Sequence, residues 1–186
     1  MPSPISHSIL TMSFYPLVKS DSRKNNKILI FLLIFIAVFP DLDFIPGLIM
    51  GDLLKFHRVY THSIFGLVFF SAVSLAVMTL TNPENKTKIL IVIILAYFSH
   101  LFLDLFGLDT NPENGIGIQI LYPFTENAYI FPVQIFRLEL FKDGKIVKDL
   151  YSVKIFFDFM VEILICLIFG LGLFKLNSRF SKNRKT

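Results

Sequence analysis

The 186-residue sequence has no tryptophan, one cysteine and four histidines, none of them after His100. The lone Cys166 can form no intramolecular disulfide and excludes a thiolate zinc site, so it says nothing of redox compartment. Charged residues are scarce at 17%, against 54% hydrophobic. Globular domains are about 45–50% apolar, so the excess is modest and its distribution decides. The apolar residues come in long runs broken by short polar stretches. That excludes a pair of soluble domains and predicts a single membrane domain over residues 1–186. A cleavable signal peptide is not expected, because residues 1–18 lack a basic start and the first strong apolar run follows Lys27. No internal repeat or low-complexity tract stands out.

What charge there is has a pattern. The net charge of +4 does not gather into a nucleic-acid patch, and no nucleic-acid partner is expected. Eleven of the 18 Lys and Arg lie in residues 19–27, 82–88 and 175–186, and the other seven are spread over residues 40–63 and 107–154. The positive-inside bias puts the first set, with the C-terminus, in the cytoplasm and the second set outside.

The chain reads as an all-α membrane protein of four to five membrane helices, with a long external section carrying a small β-hairpin. Residues 3–18 are weakly apolar and short; whether they cross or lie on the bilayer stays open. Residues 28–39 are uniformly apolar and stop at Pro40, and Pro46-Gly47 is expected to break any continuing helix. Further spans are predicted over 64–80, 89–106 and 155–174, the last followed by a basic tail. In the external section, Phe136-Arg-Leu-Glu-Leu alternates with period two ahead of Asp143-Gly144, which signals a hairpin over about 129–152.

Chemistry concentrates in residues 40–63, which hold Asp41, Asp43, Asp52, His57, Arg58 and His62 between two apolar runs. His7 and His100 lie beside or inside other apolar runs. Ionisable groups in such places are costly and usually functional. Their depths agree. His100 stands about 17 Å up its helix, with Asp104 one turn higher on the same face. Asp41 and Asp43 emerge at about 18 Å, and His7 lies at about 18 Å if its segment crosses. Imidazole and carboxylate are usual ligands of zinc and similar divalent ions. Each residue alone has an ordinary explanation: a hydrogen-bonded structural His, an Asp capping a turn, interfacial charges at His57 and Arg58. Their shared level argues for a metal site. Asp158 and Glu162, another i, i+4 pair, are left between completing the site, pairing with Arg58 or Arg137, and packing.

His7, Phe-Pro-Asp-Leu-Asp at 39–43, His-Arg-x-x-Thr-His-Ser at 57–63, Ser-His-x-x-x-Asp at 99–104 and Gly-x-x-x-Leu-Tyr-Pro-Phe at 117–124 together resemble one family. It is the inner-membrane-associated, metal-dependent hydrolases also described as LexA-binding. The resemblance covers residues 1 to about 125 and implies a multispan membrane hydrolase without defining its substrate. The order of His7, Asp41 or Asp43, His57 or His62, then His100 and Asp104 is also similar to the zinc-dependent phospholipase C and P1-nuclease group. That group's later histidines have no counterpart here, so one or two ions are expected rather than three.

The combined expectation is a metal-dependent hydrolase of phosphoesters, lipid head groups included. His7, Asp41, Asp43, His62, His100 and Asp104 would hold one or two divalent ions, zinc foremost. Asp43 would act as general base, Arg58 would clamp a phosphate oxygen, and His57 would be a ligand or a leaving-group acid. His62 is favoured over His57 as ligand because it adjoins the rigid second span. A scaffold or regulator with a structural metal is the main rival. A transporter fits less well, because the inner halves of the spans carry almost no polar groups. Oligomeric state is not legible.

Overall fold

A computed structural model describes residues 2–52, 54–81, 83, 85–108, 114–138, 141–142, 145–146 and 152–183. The chain begins with two short helices, α1 (Pro4–Met12) and α2 (Tyr15–Val18). Ser3 caps α1, its side chain accepting from the Ser6 N–H, and Pro4 fills the first turn, where an N–H would find no intrahelical partner. At about 1.5 Å per residue neither helix is long enough to cross a bilayer.

Helix α3 (Arg23–Val38) starts earlier than the apolar run, because Ser22 caps it through the Asn25 N–H. It passes into a 3₁₀ turn over Phe39–Asp43 and then α4 (Phe44–Ile49). Pro46-Gly47 therefore does not break the helix, contrary to expectation. Pro46 falls in the first turn of α4, where its missing N–H costs nothing. Helices α5 (Ile64–Thr81), α6 (Lys86–Asp104) and α7 (Val153–Asn183) follow. Helix α7 runs through most of the expected basic tail.

Among the described residues, four stretches are helical, long and apolar enough to cross a membrane: Arg23–Ile49, Ile64–Thr81, Lys86–Asp104 and Val153–Lys182. Helix α6 lies at the centre. Its Val92, Ile93, Ala96, Tyr97 and Leu101 bury against Leu33 and Ile36 of α3 and against Ile118. A smaller cluster of Leu10, Leu103, Phe136 and Cys166 joins α1, α6 and α7.

The section after α6 folds back over residues 54–64. Ile64 N–H donates to Ile120 O, and Gln119 N–H to Arg58 O. Asn114 Nδ2 reaches the carbonyls of Leu54, Lys55 and His57. Gly117 (φ 110°) lies where a Cβ would meet Tyr129 O at 2.2 Å, so the close approach requires glycine. Near the end of the section, β1 (Phe141–Lys142) and β2 (Lys145–Ile146) pair antiparallel over two residues each. The rest of the expected hairpin, Asp143-Gly144 included, lies outside the described residues.

Candidate metal centre

The 3₁₀ turn, the loop before α5 and the last turn of α6 deliver their polar side chains to one point. Pro40 ends α3 and swings Asp41 and Asp43 inward, leaving both buried. Ser63 closes the loop, its Oγ donating to Tyr60 O and accepting the Gly66 N–H, so His62 is held at the mouth of α5. His100 and Asp104 are stacked on α6, both fully buried.

Distances define the centre. His62 Nε2 lies 3.2 Å from His100 Nε2, 3.3 Å from Asp41 Oδ1 and 3.2 Å from Asp104 Oδ2. His100 Nε2 lies 3.6 Å from Asp41 Oδ1 and 3.2 Å from Asp104 Oδ2. Zinc ligands at about 2.0–2.1 Å in a tetrahedron stand about 3.3–3.4 Å apart. The five separations involving the two imidazoles, 3.2–3.6 Å, bracket that spacing.

Hydrogen bonding says the same. Asp41 and Asp104 are buried, and among the described residues no backbone or hydroxyl donor reaches their carboxylate oxygens, which face imidazole nitrogens at 3.2–3.6 Å. Buried carboxylates short of donors are costly, and a cation among the four donor atoms would satisfy Asp41 Oδ1 and Asp104 Oδ2. The two histidines are set for that role. His100 Nδ1 stands 2.8 Å from the carbonyl of Ala37, which can only accept, so the proton sits on Nδ1 and Nε2 offers its lone pair. His62 turns Nδ1 to Asp43 Oδ2 at 3.1 Å and Nε2 to the centre. Burial alone would lower the His62 pKa, but the Asp43, Asp104 and Asp41 carboxylates raise it well above its ordinary value. The surrounding field favours a positive charge there.

Of the residues singled out from the sequence, His7, Asp41, Asp43, His57, Arg58, His62, His100 and Asp104 lie in or beside this cluster, and the exposed Asp52 does not. Asp43 and His57 meet at 2.8 Å, and with His62 they form a second group close enough to hold an ion. His57 stacks on Phe44, and burial lowers its pKa. Arg58 is buried, and its backbone adopts the left-handed region (φ 66°) that few non-glycine residues occupy. Its N–H donates to Asp43 Oδ2 at 3.1 Å. His7 stacks on His100 with ring centroids 3.9 Å apart, and its Nε2 lies 3.5 Å from Asp104 Oδ1, the oxygen facing away from the four-donor centre. Glu162 and Asp158 lie elsewhere. Glu162 accepts the Ser3 N–H at 2.5 Å, and Asp158 pairs with Lys154 at 3.0 Å.

Thr61, Tyr97 and the Ala37 carbonyl went unassigned in the sequence. Thr61 Oγ1 lies 2.8 Å from Asp43 Oδ2, and Tyr97 Oη donates to Thr61 O at 2.6 Å. Thr61 stands in the sequence as the hydroxyl residue beside His62; a backbone carbonyl leaves no sequence signal.

Four apolar helices around a buried histidine–aspartate centre define an integral membrane protein with a potential metal site. Over residues 1–178 the chain matches the YdjM inner membrane protein family, and it belongs to that family. No curated protein and no solved structure shows significant similarity to it.

Proposed function

We propose that the protein is a membrane-embedded, metal-dependent hydrolase of phosphoesters, with Asp41, His62, His100 and Asp104 holding a divalent ion, zinc foremost. One observation carries the reading: two imidazole nitrogens and two carboxylate oxygens gather at 3.2–3.6 Å from one another, and among the described residues no backbone or hydroxyl donor reaches the carboxylates. A bound ion supplies Lewis acidity and brings the pKa of water toward about 7. The protein's own groups supply the rest. Arg58, buried beside His57, offers a guanidinium fork suited to a phosphate oxygen. His57 is neutral when buried and can move a proton at the edge of the cluster. His7 backs His100 and the outer oxygen of Asp104.

The basic loops and C-terminus are assigned to the cytoplasm, which turns the cluster toward the outer face. A phosphoester at that level is within reach of lipid head groups, so lipid phosphoesters lead the substrate class.

A second reading has one observation in its favour. His7, His62, His100 and Asp104 are fully buried, and closed sites are typical of structural ions. In that case the protein is a non-enzymatic membrane scaffold with a structural metal.

Metal analysis of the purified protein and of His100→Ala, with both screened on soluble and lipid phosphoesters, decides between them. The hydrolase reading expects about one bound divalent ion and phosphoester cleavage in the wild type, and loss of both in the variant. Metal without cleavage of any phosphoester favours the scaffold. Absence of metal from the wild type, even after incubation with zinc, overturns both.

A further inference from the structure

We infer that Asp43 is a positioning residue rather than a metal ligand, holding His62 and His57 by their Nδ1 atoms, and that the cluster holds one ion, not two. This rests on the metal reading above and settles a choice that reading leaves open, because Asp43, His57 and His62 are also close enough to hold a second ion.

Lone-pair accounting separates the carboxylates. An ionised carboxylate has about four acceptor sites. At Asp43 four donors converge: His57 Nδ1 at 2.8 Å on Oδ1, and Arg58 N–H at 3.1 Å, Thr61 Oγ1 at 2.8 Å and His62 Nδ1 at 3.1 Å on Oδ2. At Asp41 and Asp104, also buried, no backbone or hydroxyl donor among the described residues reaches either oxygen, and the groups that face them are imidazole nitrogens at 3.2–3.6 Å. A second ion between Asp43, His57 and His62 would have to displace both Nδ1 contacts at once. An ion at the four-donor centre would displace the His62 Nε2–His100 Nε2 contact and leave every Asp43 contact in place.

The tautomers follow from the same contacts. With Nδ1–H donated to Asp43, Nε2 is the nitrogen His62 turns toward His100, Asp41 and Asp104 and the one that would give up its proton to an ion. His100 is fixed the same way by the Ala37 carbonyl. A carboxylate behind a ligating imidazole orients the ring and raises its basicity, and its loss typically costs about 10–100-fold in metal affinity. A direct ligand costs far more. Thr61 belongs to the same arrangement. Its hydroxyl lies within hydrogen-bond distance of both Asp43 Oδ2 and Pro40 O, and Tyr97 Oη holds its carbonyl. The 3₁₀ turn and the His62 loop are thereby tied together through Asp43.

The test uses full-length protein in detergent with zinc for stoichiometry and cobalt(II) as a spectroscopic probe. Wild type, Asp41→Ala, Asp43→Asn and Thr61→Val are compared, each checked for a monodisperse, cooperatively melting fold. One zinc per chain is expected in the wild type, and none in Asp41→Ala. Asp43→Asn should keep one zinc and the cobalt d–d absorption of the wild type, with affinity lowered about 10–100-fold. Thr61→Val should shift affinity the same way by less. Histidine ¹⁵N shifts should report a protonated Nδ1 on His62 in the zinc form. Two zinc ions in the wild type, falling to one in Asp43→Asn, would overturn the inference, as would an Asp43→Asn protein as metal-free as Asp41→Ala. If Asp43→Asn alone misfolds, Thr61→Val carries the decision: affinity equal to wild type overturns the positioning role. A wild type without zinc fails the underlying metal reading, a result distinguishable from all of these.

Discussion

Helices α5 and α6 are neighbours of nearly equal length, 18 and 19 residues, and both are apolar enough to cross a membrane. They do opposite work. About 6% of α5 is buried inside the protein, against about 50% of α6. Phe65, Val68, Phe69, Val73, Leu75 and Val77 all stand exposed on α5, facing lipid. On α6, Tyr97, Ser99, His100 and Asp104 turn inward. In a membrane the apolar face marks the outside of the bundle, and the ionisable stripe marks what the bundle was built to enclose. Hydropathy alone does not separate the two helices. The i, i+4 placement of His100 and Asp104 does.

The sharpest way to break this contrast is to remove the stripe. Asp104→Ala deletes a carboxylate whose oxygens face His62, His100 and His7. A saturating ligand at a thousand times its dissociation constant stabilises the folded state by about 4 kcal/mol. Thermal melting should therefore rise with zinc in the wild type and be indifferent to zinc in Asp104→Ala. Equal zinc shifts in both would end the metal assignment. The pH dependence has a definite sign. His62 has a raised pKa in the metal-free protein, so zinc must displace its proton at any pH below that raised value. The wild-type zinc affinity should fall as pH falls, by up to about tenfold per pH unit for one displaced proton. An affinity flat across that range would remove His62 from the ligand set.

Much of this was legible in the sequence. Depth arithmetic from the apolar runs puts Asp41, His100 and Asp104 at one level, and the structure brings their ligand atoms within 4.8 Å of one another and of His62. The boundaries were less legible. Pro46-Gly47 reads as a helix break, but a proline in a first turn is compatible with a helix, and only the 3₁₀ turn at Phe39–Asp43 puts it there. Nor does sequence spacing reveal that Glu162 reaches the amino end of α1, a contact 159 residues apart along the chain. The Ala37 carbonyl, which fixes the His100 tautomer, cannot be seen in side-chain identities at all.

Gly66 is a position of α5 that does not belong to its lipid face. A Cβ at Gly66 would lie 2.6 Å from Tyr60 O, 3.0 Å from Tyr97 Oη and 3.1 Å from Thr61 Cα. The loop carrying His62 packs directly on that bare backbone. Gly66→Ala gains helix propensity of about 1 kcal/mol, but overpacking against a backbone oxygen costs about 1–3 kcal/mol. A net loss of stability together with weaker zinc binding is expected, because the displaced residues flank His62. A stabilised Gly66→Ala with unchanged zinc affinity would show that α5 only fills the lipid-facing side.

The smallest effect tests the contrast at a single hydrogen bond. Tyr97 is fully buried on α6, and its hydroxyl holds the Thr61 carbonyl at 2.6 Å, one residue before His62. Tyr97→Phe keeps the ring in the core and leaves that carbonyl unpaired, which costs about 1–3 kcal/mol when buried. On α5, Phe69 is 63% exposed to the lipid side, and Phe69→Leu should change stability by less than about 0.5 kcal/mol. Melting in detergent measures both. Tyr97→Phe should also weaken zinc binding slightly, because it loosens the loop that aims His62, whereas Phe69→Leu should leave affinity alone. If the two substitutions prove equivalent in both measurements, the inward stripe of α6 is packing rather than support for a site.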